Sequence, residues 1–157
     1  MPHRRTDAIR GVLLHCGAQR LLLANASVAE MIARADVQAR PSAPGWLLGD
    51  LDWHGWQVPV LSFAGLAGLD EDPSMPVAGN VVVLKALAGN PRRPYLALAI
   101  DGFPHLVSVP REGLIVDASE QALPDIVHMR VLLGEHRALL PDLDALERAL
   151  DGLDQAA

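Results

Sequence analysis

The chain alternates short apolar runs with turn-forming residues, and it contains 13 glycines and 12 prolines. Runs rich in strand formers occupy residues 9–16, 20–23, 81–87, 95–100, 105–109 and 126–133. The turn-forming residues that separate them include Gly17-Ala18, residues 89–91, Asp101-Gly102 and residues 134–136. Many short strands with frequent turns are typical of a small β-sandwich or barrel. We therefore expect a mainly β fold.

The clearest hairpin pattern covers residues 46–53 and 56–61. With a two-residue loop at His54-Gly55, three apolar pairs face each other: Trp53 and Trp56, Leu51 and Val58, and Gly49 and Val60. The pairs on the other face are Asp52 with Gln57 and Asp50 with Pro59. Agreement between register and polarity is characteristic of a half-buried hairpin. Histidine also tolerates the positive φ that such a turn requires.

Two helices are predicted, one early in the chain and one near its C-terminal end. Ser27 and Glu30 match a capping box, and apolar residues follow at helical spacing, so a short helix is expected over residues 27–34. Asp142 can cap a second helix over residues 142–153, with Gly152 at its C-terminal cap. The apolar stripe of this second helix consists of Leu143, Leu146, Leu150 and Leu153.

Composition narrows the class of protein. The 157 residues are half hydrophobic, enough for one ordinary domain, and the net charge of −6 disfavours nucleic-acid binding, which normally requires a basic face. Cys16 is the only cysteine, which excludes an internal disulfide and a multi-thiolate metal site. Since no apolar run has the length of a signal-peptide core or a membrane span, we expect a cytoplasmic protein.

The acidic residues concentrate at the C-terminal end. Beyond residue 141 there are five acids and a single basic residue, Arg148, so the rest of the chain is close to neutral. We expect the acids on a solvated face of the C-terminal helix. They are Asp142, Asp144, Glu147, Asp151 and Asp154.

Candidate catalytic residues are few. His15 and Cys16 are neighbours on a predicted strand and therefore point to opposite faces, which is a poor geometry for a nucleophilic dyad. Asp50, Asp52 and His54 alternate along one strand and share a face, so they could ligate a divalent metal in a metal-dependent hydrolase. The other interpretation of the same three residues is a solvated sheet face that ends in a turn histidine.

The three tryptophans all fall within residues 46–56. One interpretation of this cluster is a core position or a cross-strand pair. The other is a partly exposed recognition surface, because tryptophan is enriched at the hot spots of protein–protein interfaces. Gly49 and Gly55 would then allow another backbone to approach closely.

Several segments together resemble the CheW-like family of chemotaxis adaptor domains. They are residues 21–32, 44–63, 81–84, 96–101 and 131–150. The most specific part is the family pattern Gly-x-ϕ-x-ϕ-Arg-Gly-x-x-ϕ-Pro (ϕ, apolar), which here reads Gly49, Leu51, Trp53, His54, Gly55, Val58 and Pro59. Residues 25–30 and 46–63 are most similar to the ChpC-type subgroup, which is attached to type IV pilus chemosensory systems.

The resemblance implies a fold of two small, five-stranded, SH3-like β-barrels that share a core. In this chain of one domain, residues 1–157, the barrels would comprise residues 9–69 and 79–140, and helix 142–153 would pack on both. The polar connector 69–78 would separate them. Family members have no catalytic residues and need no cofactor. They couple methyl-accepting chemoreceptors to a CheA-type histidine kinase, directly or through a paralogous adaptor, at inner-membrane receptor arrays.

The resemblance implies that partners bind at barrel edges and at the groove between the barrels, and that the hairpin turn carries a position important for coupling. The candidate interface residues are Gly49, Asp50, Asp52, Trp53, His54, Gly55, Trp56 and Pro59. His54 replaces a family arginine that is important for coupling, and Ala24 replaces a frequent proline. Histidine titrates near pH ~6.5, whereas arginine keeps its charge, so the partner surface differs or the coupling is weaker or specialised. An accessory adaptor in control of twitching motility would fit both changes.

Two other classes of function are compatible with parts of the sequence. A small β-barrel that binds proteins outside chemotaxis would have the same composition and the same pattern of strands. A nucleic-acid module of SH3-like or OB-like fold is disfavoured by the acidic balance and by the single lysine. Self-association is compatible with each of these functions.

Overall fold

The computed structural model describes residues 8–87, 90–110, 114–116 and 123–156. Within them the chain forms eleven strands and two α-helices. The strands are β1 (Ala8–Cys16), β2 (Gln19–Ala24), β3 (Val28–Ile32), β4 (Val37–Gln38), β5 (Leu47–Trp53), β6 (Trp56–Leu61), β7 (Asn80–Lys85), β8 (Tyr95–Pro110), β9 (Leu114–Val116), β10 (Val127–Leu133) and β11 (His136–Pro141). The helices are α1 (Phe63–Leu66) and α2 (Leu143–Ala156).

Strand pairing produces two groups that share the long strand β8. The first half of β8 pairs with β6 and β7, which extend the group to β5 and β4 on one side and to β3 on the other. The second half pairs with β1, followed by β2, β11, β10 and β9. The mainly β class is confirmed. The sheet does not close through strand pairing within the described residues.

The two groups do not follow the order of the chain. The N-terminal hairpin β1–β2 lies beside β11, near the other end of the chain, whereas β7 lies with β3. Strand pairing therefore divides the molecule differently from the expected halves, residues 9–69 and 79–140. Residues 69–78 contain neither helix nor strand.

Alternation along β7 shows how the strand groups form separate cores. Val82 and Leu84 point into a large core between the two groups. Val81 and Val83 point into a second core inside the first group, which consists of β3 to β7 and the first half of β8. A strand that is buried on both faces has a continuous apolar sequence, and this explains the run that begins at residue 81. A third cluster fills the other group and contains Leu22, Val109, Val131 and Ala138.

The predicted helix over residues 27–34 is wrong. Asn25–Ser27 form one turn of 3₁₀ helix, and β3 begins at the next residue. The apolar residues of this segment fit β3 because both of its faces are covered: Val28 and Met31 pack against the large core, and Ala29 and Ile32 against the second. Hydrogen bonding to β7 therefore outweighs the local capping signal.

Asp101-Gly102, predicted to be a turn between two strands, forms a bulge within one continuous strand. Gly102 has φ +65°, and the register between β1 and β8 shifts between Leu13 and His15. A bulge bends a strand and increases its twist. It lies where β8 passes from one strand group to the other, so the predicted strands 95–100 and 105–109 are the two parts of β8.

Helix α2 begins where the sequence predicts and extends further. The Ala145 N–H donates to Asp142 Oδ1 at 3.1 Å, which confirms the N-terminal cap. Leu146 and Leu150 are buried in the large core. Gly152 does not end the helix, which continues to Ala156. No helix of the described residues is long and apolar enough to cross a membrane.

Candidate functional site

The β5–β6 hairpin has the predicted register from the Gly49–Val60 pair to the turn. Trp53 pairs with Trp56 next to the turn, and a bulge lies between Leu47 and Gly49 at the opposite end. His54 has φ +48° and Gly55 has φ +81°, the pair of positive values that a tight two-residue hairpin turn uses. Both turn residues are exposed.

Aromatic side chains gather at the tip of this hairpin. The ring centroids of Trp53 and Tyr95 are 4.7 Å apart, those of Trp53 and His54 are 4.5 Å apart, and Trp56 lies 6.3 Å from Tyr95. All three contacts are edge-to-face, the arrangement that ring quadrupoles favour. Trp53 is partly buried, whereas Trp56 is 40% exposed. The cluster is thus both a cross-strand pair and a partly exposed surface.

Strand β3 brings a carboxylate to the same tip. The Trp53 indole N–H donates to Glu30 Oε2 at 3.2 Å, and His54 Nε2 lies 3.9 Å from Glu30 Oε1. This ion pair requires a protonated His54, and in its exposed position it contributes at most ~1 kcal/mol. We call Glu30, Trp53, His54, Trp56 and Tyr95 the hairpin-tip cluster. Sequence reasoning missed Glu30 and Tyr95 because long-range strand pairing brings them to the tip.

The two aspartates of β5 do not form a metal site. Asp50 accepts two hydrogen bonds from the Arg40 guanidinium, at 3.0 and 2.5 Å, and Asp52 accepts one from the Gln57 amide at 2.8 Å. Among the described residues, no group of three or more His, Cys, Asp or Glu side chains could hold a metal ion. The metal-dependent hydrolase suggested by Asp50, Asp52 and His54 therefore has no geometric support.

Gly49 is required by the fold of this chain. A Cβ atom at this position would lie 2.8 Å from the Gln38 carbonyl carbon and 2.8 Å from Val37 Cγ1. The backbone that approaches Gly49 closely is therefore β4 of the same molecule. Pro59 is buried as well, whereas a Cβ at Gly55 would meet open space. Of the predicted interface residues, Gly49 and Pro59 are thus the least accessible.

A buried ionic cluster, which the sequence analysis did not predict, joins α2 to the loop before β8. Glu147 is 1% exposed, and its Oε2 accepts a hydrogen bond from the Leu87 N–H at 3.0 Å. Arg93 donates to the Glu147 carbonyl oxygen at 3.4 Å and forms an ion pair with Asp151. The expectation that Glu147 is solvated is wrong. Its spacing from Leu143 and Leu150 already placed it on the apolar face of the helix.

Cys16 is a buried structural thiol. Burial raises its pKa to about 12, and the negative charge of Asp101 acts in the same direction. Its Sγ donates to the Ala99 carbonyl oxygen at 3.5 Å. His15 instead makes an edge contact with the ring of His105 at 5.7 Å. The structure thus agrees with the sequence analysis that Cys16 and His15 do not form a dyad.

Comparison with known proteins gives matches of two kinds. Residues 10–150 match a protein family described as CheW-like domain. The crystal structure of the scaffolding protein TtCheW from Thermoanaerobacter tengcongensis is similar, with a TM-score of 0.69 and 12% sequence identity over 85% of this chain and 88% of that one. At this identity the structural likeness establishes the fold alone. No curated protein matches the sequence.

Proposed function

The chain belongs to the CheW-like domain family, and we propose that it is a non-enzymatic adaptor that couples chemoreceptors to a CheA-type histidine kinase. The observation that carries this proposal is the hairpin-tip cluster. It presents aromatic rings, one imidazole and one carboxylate on an exposed turn. Tryptophan and tyrosine are the residues that most often dominate the binding energy of protein interfaces.

The hairpin below the tip is anchored in both cores that surround it. Leu47 and Leu61 pack in the large core, and Leu51, Val58 and Val60 pack in the second. Because these positions are buried, a partner that binds the tip would not have to order the hairpin. Such preorganisation raises affinity by lowering the entropy lost on binding.

His54 indicates a specialised adaptor. It occupies the turn position of the family arginine and lies close to Glu30, but it carries a charge only when protonated. We propose that the chain is an accessory adaptor of a type IV pilus chemosensory system and acts in the cytoplasm at inner-membrane receptor arrays. The similarity of residues 25–30 and 46–63 to the ChpC-type subgroup supports this assignment.

Binding to purified partners tests the adaptor function. Biolayer interferometry would measure the affinity of the full chain for a chemoreceptor signalling tip, a kinase regulatory domain and a paralogous adaptor. Trp56→Ala is expected to weaken binding by about tenfold or more, as truncation of an interface tryptophan does. Phe103→Ala is the matched control, since Phe103 is a 62% exposed aromatic residue outside the hairpin.

Two results would contradict the proposal. One is the absence of binding to receptor, kinase and paralogous adaptor alike. The other is an equal loss of affinity in Trp56→Ala and Phe103→Ala, which would remove the hairpin tip from the interface. Deletion of the gene, followed by a twitching-motility assay, tests the pilus assignment separately from binding.

A further inference from the structure

A cavity outside the hairpin tip is lined by arginines from three adjacent strands. Its volume is about 950 Å³, and Arg20 of β2, Arg130 of β10 and Arg137 of β11 contribute to its wall. Among the described residues of the lining, Glu135, in the turn between β10 and β11, is the only carboxylate. The described part of the cavity wall is thus basic although the chain has a net charge of −6.

The rest of the wall is largely apolar. Leu69 from the segment after α1, Leu123 from the segment before β10 and Leu139 of β11 all line the cavity. Arg20 is held in place by its Nη1, which donates to His136 Nδ1 at 2.8 Å. A guanidinium carries five N–H donors, so this bond leaves others for a ligand.

We propose that this cavity binds an acidic peptide segment of a protein partner. Carboxylates of the segment pair with the arginines, and an apolar side chain between them packs against the leucines. The volume is in the range of organic ligand sites and far exceeds what a single inorganic anion fills. A long nucleic acid fits less well, because the net charge of −6 would repel it outside the cavity.

This site is separate from the proposed partner surface, because no residue of the hairpin-tip cluster lines the cavity. An adaptor with two separate surfaces can hold two partners at once. Acidic-peptide binding does not depend on Trp56 or His54, so it can succeed or fail independently of the coupling function.

Fluorescence anisotropy with a short labelled peptide, in which glutamate alternates with leucine, tests the proposal. We expect binding that weakens as salt rises, and no binding of the same peptide with glutamine for glutamate. Arg20→Gln combined with Arg137→Gln is expected to weaken binding by about tenfold or more, since charge-assisted hydrogen bonds contribute affinity of that order. Arg92→Gln, outside the cavity, is the matched control.

Glu135→Lys is a second test, which does not depend on how well the double variant folds. Because it replaces a carboxylate of the described lining with a positive charge, it is expected to tighten binding several-fold. Equal binding of the glutamate and glutamine peptides would overturn the proposal. So would tighter binding of a single-stranded RNA, or an unchanged affinity in the double variant with wild-type thermal unfolding.

Discussion

Replacement of Glu147 by alanine tests the least expected feature of the structure, a carboxylate buried under the C-terminal helix. The side chain is 1% exposed and accepts a hydrogen bond from the Leu87 N–H, and the Glu147 backbone carbonyl accepts one from Arg93. Glu147→Ala removes the acceptor and a negative charge and leaves a small cavity. We expect a large loss of folding stability and no change in secondary structure.

The magnitude follows from the groups left behind. An N–H that loses its acceptor costs about 1–3 kcal/mol, and the cavity left by truncating a buried side chain to alanine brings the total to about 2–5 kcal/mol. Arg93 keeps its ion pair with Asp151 and its hydrogen bond to the backbone carbonyl of residue 147, so these two interactions add nothing to the loss. We expect a loss of about 3 kcal/mol, which lowers the Tm of a domain of this size by roughly 6–12 °C.

Urea unfolding followed by circular dichroism measures this loss. Glu147→Gln keeps an oxygen for the Leu87 N–H and loses only the charge, so about 1–2 kcal/mol is expected. Arg148→Ala is the matched control, because its side chain is 68% exposed and 4.0 Å from Asp142; it should change stability by about 0.5 kcal/mol or less. Equal losses for Glu147→Ala and Arg148→Ala would refute the buried position of Glu147.

Gly49→Ala is expected to destabilise the fold by about 2 kcal/mol or more in thermal unfolding, because the added Cβ would collide with β4. Gly152→Ala should instead stabilise α2 by about 0.5–1 kcal/mol, because the space around this glycine is open. Gly55→Val should also lower the Tm, since a β-branched residue resists φ +81°, and a wild-type melt would contradict the turn geometry. Cys16 has a pKa of about 12, against 9.0 in the unfolded chain, so it should react with a thiol reagent at pH 8 only on unfolding. Because the folded state holds the thiol proton more tightly, this group stabilises the fold below pH 9, and the contribution is lost between pH 9 and 12. Cys16→Ala should therefore make the free energy of unfolding fall less steeply over that pH range. His54→Ala should keep the wild-type Tm and weaken partner binding, because it removes an exposed side chain of the hairpin turn; wild-type affinity in this variant would count against a role for the imidazole.

The hairpin and the C-terminal helix could be predicted because their signals are local. The register from Gly49 to Val60 follows from polarity on the two faces of neighbouring strands, and the turn from residues that tolerate positive φ. Asp142 caps the helix within its own first turn. In each case the interacting residues are close in sequence, so the sequence pattern directly predicts which residues are in contact.

The segment after Ser27 shows where local signals are insufficient. A capping box followed by apolar residues is compatible with a helix, and the same residues fill both faces of a strand once β7 lies beside them. The resemblance to a family with a two-barrel fold is not enough to exclude the helix predicted over residues 27–34. Only the pairing of Val28 with Leu84, far along the chain, decides between the two structures.

The sequence by itself determined the mainly β class, the Trp53–Trp56 hairpin and the family. The tertiary structure alone decided which strands pair, why Gly49 must be a glycine, where Glu30 meets the hairpin tip and that the Leu87 N–H donates to Glu147. The reason is physical. Alternation and capping depend on neighbours along the chain, whereas burial, close backbone approach and ion pairing depend on distant segments that only folding brings together.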